Sequence, residues 1–366
     1  MLGLNDEPVT GTERAYLDFY LGLRIGWAKL HHPLLDLFDA RTADWTAAHG
    51  REPVETSEIG DVIEDSALFR CFMYLQRHTQ LLMKYGPYGT HAYIEARRDE
   101  LTARMAEAEG PDLDPALPMP AYYADTDYHL EKGGYWQDDL DGPVYDFGTR
   151  IHFAGLENVG SIHRAKTEAL PRGDYRRVVD LGCGTGDGTF GLAETFPGAE
   201  VIGVDLAAPF LKWADLKARD RGLPISFVQK DAADTGIEGG SCQLVTSTMI
   251  FHEMPAEQIA AIVRESYRLL EPGGAFAVYT AGELPTTYGL FMMDWHAHIN
   301  NEPFMSDFFR ADLEKPLVDA GYTEVTTTVV DAFRHGDKKA YGSAAPPDPR
   351  RARAGGWRLV TGRKPI

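Results

Sequence analysis

From residue 174 onward the chain alternates short β-branched runs with longer helical stretches, and this alternation restricts the fold more than any other feature. "YRRVVDL", "AEVIGVDL", "PISFVQKD", "CQLVTSTMI" and "AFAVYT" read as strands, with helix-length segments between them. Apolar strands joined by helices imply a parallel sheet covered on both faces. After an irregular, aromatic stretch to about 305 comes a helix, "FFRADLEKPLVDAG", and two last strands, "EVTTTVV" and "GWRLVTGR". Those two can close the sheet as an antiparallel edge pair. The expected fold is α/β: a doubly wound, mostly parallel seven-stranded sheet with an N-terminal α-helical domain.

The front third is helical in pattern. In "TERAYLDFYLGLRIGWAKLHHP" Leu17, Tyr20, Leu21 and Ala28 fall near one face, and Pro33 is read as the end of the run. "SALFRCFMYLQRHTQLLMKYGP" is a second helix stopped by Gly86 and Pro87, and "HAYIEARRDELTARMAEAEGP" a third stopped at Gly110. Residues 1–110 are therefore expected as a helical domain serving as a lid, a dimerisation surface or both. Residues 111–153 form an aromatic-rich connector, and 154–366 the sheet domain with a substrate-side insert at 284–305. Tyr122, Tyr123, Tyr128, Tyr135, Trp136, Tyr145, Phe147 and Phe153 crowd the connector, which suits either core packing or a lid over a ligand.

Charge and composition narrow the function. The net charge of −19 disfavours a polyanionic nucleic-acid partner, and the main basic cluster, "RRARAGG", sits in a loop-like stretch. No apolar run reaches the roughly 20 residues of a membrane span. The N-terminal "MLGLNDEPVTGTERAYL" lacks a basic and apolar leader, and Cys71, Cys183 and Cys242 are too scattered for a disulfide framework. A cytoplasmic protein is expected.

The segment "VVDLGCGTGDGT", residues 178–189, follows the first strand. No Lys follows its glycines, so it is not a Walker loop. Counting G-x-G-x-x-G from Gly182 or from Gly184 puts Asp187 or Thr189 at the third position, so the dinucleotide fingerprint fails too. Asp187 would also compete with a phosphate at the next helix N-terminus. Asp205, ending "VIGVDL", suits a ribose diol, because a carboxylate accepts two hydroxyl hydrogen bonds. A ribose-bearing, phosphate-free cofactor with a cationic centre matches Asp180, at the end of the first strand, together with Asp205.

With these residues in place, the chain resembles the class I S-adenosylmethionine-dependent methyltransferases, whose first motif is close to "VVDLGCGTG". The resemblance runs along 178–280 and implies S-adenosyl-L-methionine as cofactor. It implies that Asp180, Gly182, Cys183, Gly184 and Gly186 shape the methionine pocket and that Asp205, with Leu206, holds the ribose. It further implies that Asp231 and Ala232 in "FVQKDAADTG" meet the adenine, that Thr248 borders the cofactor, and that "LLEPGGAFAVY" is the turn into strand five. Gln243 departs from the acid the family often has at the head of strand four, a position that is usually structural.

Methyl transfer is a direct displacement, so alignment and exclusion of water dominate, and a base is needed only if the nucleophile must lose a proton. His252 and Glu253 follow strand four at the carboxyl edge, where open α/β sheets bind ligands. They are candidate catalytic groups, although packing for His252 and helix N-terminal placement for Glu253 account for them equally. "YGLFMMDWHAHINNEPF" offers His296 as a further candidate and Phe291, Trp295 and His298 as a substrate wall, beside Met249. Asp294, His296 and His298 lie two apart and diverge on a helix, so no metal is expected. Tyr135 can place its ring over the sulfonium, with Trp136 and Tyr145 toward substrate. The expected activity is methylation of a small molecule, O-methylation of a carboxylate or hydroxyl first and C-methylation of a quinone- or polyketide-like ring second. A non-catalytic cofactor-binding protein is the reading of another class, and a homodimer through the N-terminal helices is the expected assembly.

Overall fold

The computed structural model describes residues 9–153, 156–332, 335 and 357–366. The basic stretch 350–356 and the first residues of the N-terminus lie outside the described residues. β1 (Arg177–Leu181), β2 (Glu200–Asp205), β3 (Ile225–Gln229), β4 (Cys242–Thr248), β5 (Leu270–Ala281), β6 (Thr323–Val330) and β7 (Trp357–Arg363) form a single seven-stranded sheet. Its order is β3-β2-β1-β4-β5-β7-β6. The first five strands pair in parallel and β7 runs antiparallel between β5 and β6. The chain winds outward from β1 in both directions, which opens a crevice at the carboxyl ends of β1 and β4.

Period-two alternation divides the core. Val179 and Leu181 of β1 pack with Val245 and Phe276 in one layer, whereas Val178 packs with Leu244, Ala275 and Tyr279 in the other. β5 begins at Leu270, ahead of the expected "AFAVYT", with a register shift against β4 between Cys242 and Leu244. Gln243 at that point accepts the backbone N–H groups of Arg176 and Arg177, a role at the foot of the sheet away from the crevice.

The front third divides more finely than its periodicity suggested. It comprises α1 (Gly11–Ala28), α2 (His31–His49), α3 (Thr56–Ile63), α4 (Ala67–Tyr85), α5 (Thr90–Glu95) and α6 (Arg98–Met105). Pro33 does not end a helix. It sits in the first turn of α2, where its missing N–H has no partner to lose. Then come α7 (Ala121–Ala124), α8 (Asp141–His152), α9 (Leu156–Ala169), α10 (Asp187–Thr195), α11 (Ala208–Asp220) and α12 (Ala256–Leu269).

The stretch after β5 is mostly a helix, α13 (Thr287–Asn300), capped by the Thr286 side chain accepting from Gly289 N. "FFRADLEKPLVDAG" splits into α14 (Met305–Arg310) and α15 (Lys315–Asp319), because the Asp312 carboxylate accepts the N–H groups of Glu314 and Lys315 and starts a new helix. α13 lies on the front helices: Tyr288, Phe291 and Ile299 share a core with Leu34, Leu35, Phe69 and Phe72. The apolar faces of α2 and α4 are thus covered from within the chain. Among the described residues, no helix is long and apolar enough to cross a membrane.

Candidate active site

The crevice at the ends of β1 and β4 deepens into a cavity of about 490 Å³ roofed by the connector and α4. Its floor is the glycine loop. Gly182 N and Cys183 N both donate to Val204 O, at 2.8 and 3.0 Å, which stitches the end of β1 to β2. Gly182, Gly184 and Gly186 all have positive φ. A side chain on Gly186 would strike Phe190 and Ala214 in the core, whereas at Gly184 there is open space. Gly182, Cys183 and Gly184 line the cavity; Gly186 does not, and its role is to let the loop enter α10.

The expected acids have different duties. Asp180 borders the cavity, but it is 1% exposed and both oxygens are taken, by Thr246 Oγ1 at 2.6 Å and Thr189 Oγ1 at 2.8 Å. It clamps β1 to β4 and α10. Asp205 accepts Gly184 N at 2.8 Å on one oxygen and Ala207 N at 2.9 Å on the other, leaving a lone pair on each for a diol. Burial pushes its carboxyl up to about 6, against those N–H donors. Asp231 Oδ1 accepts Ala233 N and Gln258 Nε2, and Asp231 lies outside the lining, which Ala232 and Leu206 reach instead. Thr248 lines the cavity and accepts from the buried Lys166 Nζ at 2.6 Å.

The cavity wall also holds a chain of imidazoles and carboxylates. His252 is 5% exposed, its Nδ1 has no partner among the described residues, and its Nε2 is 3.7 Å from Glu253 Oε1. Burial holds it below its ordinary range in spite of Glu253 and Glu302, so it is neutral near pH 7. Glu253 Oε1 is also 3.0 Å from His129 Nε2, and Glu302 Oε1 is 2.7 Å from His129 Nδ1. Burial opposes the charge on His129, yet the two carboxylates prevail and raise it to about 10. His296 contacts the Gln76 side chain and Asn300, with Nε2 at 3.9 Å from Glu302 Oε1.

Three residues expected in a substrate wall do not line the cavity. Phe291 is 3% exposed and packs on Phe69; Trp295 meets Phe69 edge-on and donates to Glu64 at 3.1 Å; His298 stands against Trp295. Phe291 and Trp295 face the front helices and His298 is exposed, because the helical α13 turns only His296 and Asn300 to the cavity. Trp136 also misses the cavity, whereas Tyr135, Tyr145 and Met249 line it. His129, Glu302, Lys84 and Glu131 line it unforeseen. Their partners lie far off in sequence, 173 residues for His129 and Glu302, so no local spacing marked them.

Residues 178–274 match the family described as a methyltransferase domain. The chain carries a class I S-adenosylmethionine-dependent methyltransferase domain. Within and beside this methyltransferase domain the chain is 40% identical over 136 residues to a demethylmenaquinone methyltransferase of Thermus thermophilus, covering 37% of this chain and 60% of that protein. It is 29% identical over 179 residues to a malonyl-[acyl-carrier protein] O-methyltransferase of Methylococcus capsulatus, covering 47% and 62%. The match thus spans less than two thirds of either relative. A Haemonchus contortus phosphoethanolamine N-methyltransferase in complex with S-adenosyl-L-methionine aligns at a TM-score of 0.46 and 16% identity, over 68% of this chain and 61% of that one.

The residues of the methyltransferase domain fit the cofactor its family uses. Gly184 leaves room for a close ligand and Asp205 keeps free lone pairs. The lining carries Asp180, Asp187, Asp205, Glu131, Glu253 and Glu302 against Arg24, Lys84, Lys230 and the protonated His129, a balance that favours a sulfonium over an anion.

Proposed function

We propose that this chain transfers the methyl group of S-adenosyl-L-methionine to an oxygen of a small, hydroxyl-bearing molecule. The cofactor supplies an electrophilic methyl on a sulfonium. Asp205 would take the ribose hydroxyls and Gly184 the close backbone approach, while Leu206 and Ala232 border the rest. The neutral His252 beside Glu253 carries the reading, since an uncharged imidazole at the cavity wall can accept the proton of an acceptor hydroxyl. The paired or outnumbered cations of the lining argue against an ionised carboxylate as the acceptor, which narrows the expectation to hydroxyls.

The connector at 111–153 would act as the lid, with Tyr128 donating to Glu253 O at 2.6 Å as its tie to the sheet domain. Exposed Phe19 and Tyr74 on the front helices, with Tyr88 in the turn after α4, would supply the surface for the proposed homodimer. C-methylation of a quinone-like ring is the second reading, supported by the relative that carries demethylmenaquinone in its name.

The experiment is turnover of methyl-labelled cofactor over a panel of phenols, alcohols and hydroquinones, with product analysis for ether or ring methyl. Ether product, and a fall of about 100-fold or more in kcat for His252→Ala, are expected. Full activity in the variant removes the base, and ring-methyl product replaces the first reading by the second.

A further inference from the structure

We propose that Tyr135, braced from behind by Lys84, is a hydrogen-bond donor that grips a carbonyl-type oxygen of the methyl acceptor. The inference rests on the methyl-transfer reading and names what the acceptor must carry besides its nucleophile. Lys84 Nζ, on α4, donates to Glu131 Oε2 at 2.5 Å and to the Tyr135 hydroxyl oxygen at 2.6 Å. An ammonium has only protons to give, so the Tyr135 oxygen is the acceptor in that contact and its own proton is left over. Among the described residues no group accepts that proton.

The surroundings fix this donor in place. Glu131 holds Lys84 Nζ on Oε2 and lies 2.5 Å from His91 Nε2 through Oε1, and among the described residues no hydrogen bond joins it to the Tyr135 hydroxyl. The ring of Tyr135 is held by Tyr145 edge-on at 5.2 Å and by Phe210 at 5.7 Å. Tyr135 and Lys84 both line the cavity, as do Glu253 and His252. Burial raises the phenol well above its usual range, so it stays protonated. A buried cation on its oxygen polarises the O–H bond and makes it a stronger donor than a free tyrosine. The sulfonium has no lone pair suited to such a donor, and a bond to the cofactor's carboxylate or hydroxyls would show as lost S-adenosylhomocysteine affinity in Tyr135→Phe; the proposed match is on the acceptor, a ketone, a quinone or an enolate oxygen set apart from the atom that is methylated. Tyr135 is then a specificity-determining residue on the acceptor side, and Lys84 positions it.

The test uses the full chain saturated with S-adenosylhomocysteine and two probes, 4-hydroxyacetophenone and 4-ethylphenol, titrated by calorimetry. The ketone is expected to bind about five- to tenfold tighter than the ethyl compound, the worth of one good hydrogen bond. In Tyr135→Phe that ratio should fall to near one while the affinity for S-adenosylhomocysteine is unchanged. Isotope-edited infrared of the bound ketone in the unsubstituted protein gives a readout independent of any variant: its carbonyl stretch should lie below its frequency in hexane. Equal affinities, a ratio that survives Tyr135→Phe, an unshifted stretch, or no binding of either probe overturns the inference. Failure of S-adenosylhomocysteine itself to bind would instead strike the methyl-transfer reading.

Discussion

His129 Nδ1 lies 2.7 Å from Glu302 Oε1, and these two residues, 173 apart in sequence, join the connector to the end of α13. His129 adopts a left-handed backbone with φ 54° to make the contact. Strained residues of this kind persist where the surroundings over-determine them, and here two carboxylates do so.

Protonation of His129 stabilises the fold. Its folded value of about 10 exceeds the unfolded value near 6.5, so the contribution is complete below pH 6.5 and is lost as pH rises through about 10. Melting temperature is expected to decline between pH 7 and 10, with a flatter profile in His129→Gln. Glu302→Gln should cost about 2 kcal/mol at pH 7, below the 3–5 kcal/mol of a fully buried pair because His129 is partly exposed. Parallel pH profiles for the two proteins would contradict this.

Cofactor affinity is expected to follow Asp205. Asp205→Asn should weaken S-adenosylhomocysteine about 10- to 100-fold, the worth of hydrogen bonds to a charged group. Because burial lifts Asp205 to about 6, affinity should drop as pH falls through that value, where protonation removes an acceptor. Titrations at pH 5 and pH 8 that agree would exclude the role.

Gly184 and Gly186 should separate binding from folding. Gly184→Ala meets open space and bears only the strain of φ 54°, about 1 kcal/mol, yet its methyl intrudes on the ligand and should reduce cofactor affinity. Gly186→Ala adds a clash with Phe190 and Ala214 to that strain and should lose more than about 2 kcal/mol of stability. Chemical denaturation and cofactor titration of both variants check the split.

Phe291 is expected to behave as core. Phe291→Ala should lower stability by about 3–5 kcal/mol by opening a cavity against Phe69. Where the variant remains folded, KM for the acceptor should stay within a factor of two. A selective rise in KM would return Phe291 to the acceptor wall.

The sequence alone determined the sheet and its two-way winding, and it singled out Gly182, Cys183, Gly184 and Asp205, which line the cavity. Those features are local: β-branched runs, glycines at fixed offsets, and Asp205 at the tip of its own strand. It did not foresee that Asp231, Phe291, Trp295 and His298 stand outside the cavity lining, because a residue type at a plausible place in the chain does not reveal which way its helix or turn faces. It was silent on Lys84, His129, Glu131 and Glu302, whose chemistry exists only between segments. Buried charges are tolerable only when paired, and the pairing of His129 with Glu302 and of Lys84 with Glu131 is made by folding the front helices and connector over the sheet. Tertiary structure therefore decided the cavity wall around these residues, where desolvation and opposed charges set which groups hold a proton and which are free to give one.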